Sequence, residues 1–79
     1  MILKPIILRA LDRMSGQPMT RQAIIDTVRL AYPGTPEADI DRTLNKLEAG
    51  GYVLGASNEM LETTVWVLTN KGTLAIGQL

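Results

Sequence analysis

The stretch VWVLTNKG, from Val65 to Gly72, places a strong strand signal directly before a strong helix start. Two valines, a tryptophan and a leucine favour extended backbone. Thr69 follows at once, and threonine is a common helix N-cap because its hydroxyl accepts a hydrogen bond from the first turn. We therefore predict a strand that ends before Thr69 and a short helix from about Asn70 to Ile76. Leu74 and Ile76 are expected to turn toward the core.

A second strand is predicted just upstream. YVLGA, from Tyr52 to Ala56, is typical of a short strand, and Ser57-Asn58 is typical of a turn. Residues Glu62 to Leu68 would then form the antiparallel partner. Gly55 lies within the first strand, which indicates a bulge or a close approach of another group to the backbone. A two-stranded hairpin follows from this pattern.

The first predicted helix begins near Pro5, because proline fits the first helical turn, where its missing N–H needs no partner. Its apolar positions repeat at helical spacing: Leu3, Ile7, Ala10, Leu11 and Met14. Ser15-Gly16 ends it, since glycine readily adopts the left-handed backbone of a helix end. Leu8 lies off the apolar stripe, and is either a peripheral core contact or a dimer contact.

The second helix has Thr20 as its predicted N-cap, with Met19 and Ile24 spaced to form a hydrophobic staple. Four residues are expected on its buried face: Ile24, Ile25, Val28 and Ala31. The segment Tyr32-Pro33-Gly34 ends it, because the residue before a proline is driven out of the helical region.

The third helix is predicted over residues 36–49, with Thr35 as its cap and Pro36 in the first helical position. Its narrow apolar stripe consists of Ile40, Leu44 and Leu47. Gly50-Gly51 ends it. The expected fold class is therefore α+β and mostly α, as one domain over residues 1–79. With no cysteine in the chain, neither disulfides nor thiolate metal sites contribute to it.

Two stretches resemble the winged helix-turn-helix domains of small bacterial and phage transcriptional regulators. LNKLEAGGYVLG (Leu44–Gly55) is similar to the end of a recognition helix that turns through glycine into the first wing strand. VWVLTNKG is similar to the second wing strand and the leucine-threonine-x-x-glycine step of multiple-antibiotic-resistance and phenolic-acid-repressor regulators. The resemblance covers nearly all of residues 3–77. It implies a three-helix core, a two-stranded β-hairpin wing and a short C-terminal helix.

The resemblance also implies a site for double-stranded DNA. In that family the third helix enters the major groove and the hairpin tip touches the neighbouring backbone. Arg42 and Asn45 lie opposite the apolar stripe, and these residue types read guanine and adenine bidentately. Lys46, and Arg21 and Gln22 at the start of the second helix, are candidates for phosphate contacts. The predicted function is transcription regulation.

Other interpretations of these residues stay open. Arg42 and Asp39 are three apart, so they also fit an ordinary surface ion pair. Trp66 is expected in the core or at its edge, with a base-stacking role as the alternative. Formal net charge is zero, but residues 1–30 carry a net +3 and residues 31–79 a net −3. The third helix and the hairpin are acidic, which favours a protein–protein interaction module, and a homodimer is a further alternative.

An enzyme is not expected. The chain contains neither histidine nor cysteine, and its close carboxylate pairs point to different faces or lie at the hairpin tip. No cofactor or metal is predicted. The opening MILKPIIL is too short and too interrupted for a signal peptide, and no apolar run reaches the roughly 18 residues of a membrane span. A cytoplasmic location without membrane contact is therefore expected.

Overall fold

The computed structural model describes residues 2–79, which form four helices and three strands. In chain order these are α1 (Lys4–Arg13), β1 (Met19–Thr20), α2 (Arg21–Ala31), α3 (Glu37–Ala49), β2 (Val53–Asn58), β3 (Thr63–Leu68) and α4 (Asn70–Ile76). The predicted α+β, mostly helical class is confirmed. No helix within residues 2–79 combines the length and the apolarity that a membrane crossing requires.

The three strands form one antiparallel sheet in the order β1-β3-β2. β2 and β3 make the predicted hairpin, with Val53 opposite Leu68 and Asn58 opposite Thr63. β1 was not predicted. It pairs Met19 with Trp66 along the other edge of β3. Two residues are too few to show the alternation that identifies a strand in sequence.

The prediction of a turn at Ser57-Asn58 is wrong, because both residues belong to β2. The reversal occurs over residues 59–62. There the Asn58 side-chain oxygen accepts a hydrogen bond from the Leu61 N–H at 3.0 Å, and Glu62 has a left-handed φ of 52°. Asn58 is therefore the last residue of β2, and its side chain stabilises the turn that follows. Because asparagine is typical of turns, its presence led to a turn being predicted too early in the chain.

One apolar cluster draws residues from every element except α4, whose Ile76 packs against it. It contains Leu3, Ile7, Leu8, Ala10, Leu11, Met19, Ile24, Ile25, Val28, Ile40, Leu44, Leu47, Val53 and Trp66. Leu8 is thus a core residue. Met14, Ala31 and Leu74 are exposed, contrary to prediction. α1 ends before Met14, Ala31 is the last residue of α2, and the short α4 buries Gly72 and part of Ile76 instead.

Two of the three predicted caps are confirmed. The hydroxyls of Thr20 and Thr69 accept hydrogen bonds from the N–H groups of Ala23 and Gly72, at 3.2 and 3.1 Å. Thr35 does not cap α3. It is buried, and its hydroxyl donates to the carbonyl oxygen of Tyr32 at 2.7 Å, which leaves Pro36 in the N-cap position.

Candidate nucleic-acid interface

The apolar stripe of α3 determines which of its side chains face solvent. Ile40 and Leu44 are fully buried and Leu47 nearly so. Arg42 and Asn45, on the opposite side of the helix, are both exposed. The predicted exposure of Arg42 and Asn45 is therefore confirmed.

A groove of about 390 Å³ lies between the start of α1 and the exposed face of α3. Three cations line it: Lys4, Arg42 and Lys46. Asp39 is the one acidic residue among the lining side chains, so the groove is electropositive. Lys4 was not among the predicted site residues. Its sequence signal was only the basic bias of residues 1–30, because nothing local shows that α1 begins beside α3.

The exposed polar side chains of α3 are weakly held, both in this groove and at Asn45, which lies outside its lining. Arg42 Nη1 lies 3.3 Å from Asp39 Oδ1, and the two side chains are 65% and 42% exposed. This is the surface ion pair foreseen as an alternative interpretation, and pairs so exposed contribute about 0–1 kcal/mol. Within residues 2–79, the side chains of Asn45 and Lys46 have no hydrogen-bond partner in the chain. The polar groups of this face can therefore turn to a ligand at low cost.

Arg21 is held far more firmly. Its Nε and Nη2 atoms donate to the two carboxylate oxygens of Asp41 at 2.8 and 2.9 Å, and Nη1 lies 3.5 Å from Glu37 Oε1. The hydrogen bond from Arg21 lowers the pKa of Asp41, against the opposing effect of desolvation. The same bond raises the pKa of Arg21. Arg21 thus ties the start of α2 to α3, and a phosphate contact would require it to exchange partners.

Gln22 also has a partner within its own helix. Its Nε2 atom donates to Asp26 Oδ1 at 2.9 Å on the exposed side of α2. Neither Gln22 nor Arg21 lines the groove that contains Lys4. The structure therefore brings together only part of the predicted DNA site, and the contacts assigned to Arg21 and Gln22 stay predictions.

The hairpin carries acids on its exposed end and an aromatic side chain underneath. Glu59 and Glu62 are exposed at the turn, whereas Trp66 is only 8% exposed, as predicted for a core residue. A Cβ on Gly55 would lie 2.7 Å from Trp66 Cζ3, so the close approach predicted at this glycine is confirmed. Trp66 Nε1 is buried with no hydrogen-bond partner in the described chain.

Asp39 and Asp41, the close acidic pair of α3, have separate partners. Asp39 pairs with Arg42, while Asp41 pairs with Arg21. Residues 2–79 contain no group of three or more metal-ligating side chains close enough to bind an ion.

Comparison of the chain with protein-family models, with curated proteins and with solved structures gives no match.

Proposed function

We propose that the chain is a winged helix-turn-helix domain that binds double-stranded DNA and regulates transcription. The order of its elements supports this. α2 and α3 are joined by a short connection through Pro33 and Gly34, and the hairpin follows α3 directly. β1, which lies between α1 and α2 in the chain, pairs with β3 and completes the sheet. This order leaves one helix, α3, with an exposed face beside an exposed hairpin.

The groove between α1 and α3 is the observation that carries the DNA proposal. Lys4, Arg42 and Lys46 come from two separate helices and meet on one surface. Cations that neutralise phosphates supply most of the sequence-independent affinity of a DNA-binding protein. In this proposal Lys4 and Lys46 contact the sugar-phosphate backbone, which positions α3 on the duplex.

Sequence reading is assigned to Arg42 and Asn45. Because the Arg42–Asp39 contact is single and exposed, the guanidinium can exchange that carboxylate for the O6 and N7 atoms of guanine. Asn45 lies one turn further along α3, and its free amide can pair with adenine. Asp39 would then accept from a cytosine amino group or remain in water.

The test is a fluorescence-anisotropy titration with labelled mixed-sequence duplexes at several salt concentrations. Replacement of Lys4 and Lys46 by glutamine should weaken binding on every duplex and reduce the salt slope by about 0.9 per lost phosphate contact. On a duplex selected for tight binding, Arg42→Ala should cost about 1–3 kcal/mol and relax preference at one base pair. Arg13→Gln removes a cation from the far end of α1 and is the matched control, measured at protein concentrations at which the chain is monomeric.

Two results would contradict this proposal. One is no binding to any duplex at low salt. The other is specific binding that is indifferent to both the Arg42 and the Lys4/Lys46 substitutions, which would remove α3 as the reading helix.

A second candidate function, binding of a protein, is favoured by the hairpin. Met60 is 94% exposed at the turn and Leu61 56% exposed, with Glu59 and Glu62 on either side. No cation lies within residues 53–68, so the hairpin is poorly suited to grip phosphates. An apolar tip rimmed by charge is typical of a protein contact.

A further inference from the structure

A second groove, of about 320 Å³, lies between α1 and α2. Its apolar wall includes Ile6 and Leu30, and Leu30 is 85% exposed. Arg9 and Arg13 line the α1 side, and no acidic residue lines the groove. Neither arginine forms an ion pair within residues 2–79. This surface is therefore apolar in its wall and basic on its α1 side.

The hairpin tip has the opposite charge and the same apolar character. Met60 and Leu61 project at the turn between the carboxylates of Glu59 and Glu62. Two hydrogen bonds also span the tip. The Asn58 side chain accepts the Leu61 N–H at 3.0 Å, and the Glu62 N–H donates to the Glu59 carbonyl oxygen at 3.4 Å. A turn constrained by its own hydrogen bonds loses less conformational freedom on binding than an unconstrained one.

We propose that the hairpin tip of one copy of this chain docks into the α1–α2 groove of a second copy. Met60 and Leu61 would cover the exposed Leu30, and the two glutamates would face Arg9 and Arg13. The charge distribution supports a partner identical to the chain itself. A net +3 in residues 1–30 and a net −3 in residues 31–79 make an overall neutral chain electrostatically complementary to its own copy.

The association is expected to be weak. A stable interface buries about 800 Å² on each partner, whereas the whole described chain exposes 5030 Å² and the tip is a small part of it. Reciprocal docking would close a two-fold dimer, and one-way docking would give an open chain of copies. The inference develops the second candidate function and does not depend on DNA binding.

The test compares two charge-reversed variants with the natural chain. The mass of each protein is measured by sedimentation over a range of protein concentrations. The groove variant carries Arg9→Glu and Arg13→Glu, and the hairpin variant carries Glu59→Arg and Glu62→Arg. Each should associate at least about tenfold more weakly than the natural chain, because like charges then face each other. An equimolar mixture of the two should associate again, since each copy now complements the other. High salt should weaken association of the natural chain.

Apolar substitutions provide the matched control. Met60→Ser and Leu30→Ser should weaken association, whereas Leu74→Ser, at a leucine that is 72% exposed on α4, should not. Circular dichroism checks that every variant is folded. A natural chain that stays monomeric at all concentrations would overturn the proposal. The proposal would also be overturned if the folded charge-reversed variants associated as the natural chain does, or if their equimolar mixture failed to associate. A foreign protein partner for the hairpin would then be a separate question.

Discussion

Replacing Gly72 by alanine should destabilise the protein, although helix propensity alone predicts the reverse. Gly72 lies in α4, three residues after the cap Thr69. The Thr69 N–H donates to the Tyr52 carbonyl oxygen at 3.1 Å, and its hydroxyl oxygen lies 2.6 Å from the Gly51 carbonyl oxygen. These bonds hold the start of α4 against the start of β2. A Cβ on Gly72 would overlap the Tyr52 carbonyl oxygen and lie 2.6 Å from Leu68 Cδ1.

The expected magnitude follows from two opposing effects. Alanine is favoured over glycine in a helix interior by about 1 kcal/mol. The overlap cannot be relieved by a rotamer change alone, because one of the two atoms belongs to the backbone of Tyr52. α4 must therefore move away, which strains the packing by about 1–3 kcal/mol or more and weakens the Thr69 hydrogen bonds by about 1 kcal/mol each. With two such bonds weakened and the alanine gain subtracted, we expect a net loss of about 2–4 kcal/mol.

Urea unfolding followed by the fluorescence of Trp66, the single tryptophan, measures this loss. In a domain of this size, each kcal/mol should also lower Tm by roughly 4–8 °C. Gly77→Ala is the control, since a Cβ there meets only the Leu74 carbonyl oxygen, at 3.4 Å. It should change stability by less than about 0.5 kcal/mol. A Gly72→Ala variant as stable as the natural chain would refute the close packing of α4 on Tyr52.

Three further predictions concern the core and the Arg21 ion pair. Trp66→Ala should cost about 3–5 kcal/mol and unfold most of the protein, as measured by far-ultraviolet circular dichroism; unchanged stability would place the ring at the surface. Gly55→Ala should cost about 1–3 kcal/mol in urea unfolding, because its Cβ would press on the ring of Trp66. The penalty should shrink when Trp66 is replaced by leucine, and equal penalties in both backgrounds would exclude that contact. Arg21→Ala should cost about 0.2–1 kcal/mol near neutral pH, since the pair with Asp41 is partly exposed. Because the folded-state pKa of Asp41 is lowered, this difference should close as pH falls through that pKa; a difference independent of pH would show that the ion pair does not cause it.

The parts of the fold that could be predicted from sequence are those whose causes lie within a few residues. Thr20 and Thr69 cap helices because each hydroxyl reaches an N–H three residues ahead. The stripe of Ile40, Leu44 and Leu47 repeats within one helix, so it predicted which face of α3 is exposed. The hairpin was recognised for the same reason, from two short apolar runs with turn residues between them.

What could not be predicted depends on contacts between distant segments. The Arg21–Asp41 bond joins residues 20 apart, and the groove at Lys4 joins the two ends of the helical region. β1 exists only because Met19 lies opposite Trp66 on β3. Thr35 had the right residue type for a cap, but burial turned its hydroxyl back toward Tyr32. No local sequence pattern predicts these contacts, because tertiary packing determines them.

The acidic residues show that the interaction partner of each charge matters more than the number of charges on an element. Four acidic residues on α3 counted against DNA binding in the sequence, yet each has a partner in the structure. Asp41 and Glu37 contact Arg21 on α2, Asp39 contacts Arg42, and Glu48 accepts a hydrogen bond from the Gly55 N–H at 2.8 Å. Asp41 and Glu48 link α3 to α2 and β2, and the pairing of the acids leaves Lys4 and Lys46 as the unpaired charges of the groove. The acids of the hairpin tip differ, because Glu59 and Glu62 form no ion pair within residues 2–79. A neutral chain can therefore carry a basic surface at the Lys4 groove, which we propose binds DNA, and an acidic surface at the hairpin tip, which we propose docks on the basic α1–α2 groove of a second copy. The salt slope of DNA binding reports on the first surface, and the mass of the charge-reversed pair reports on the second.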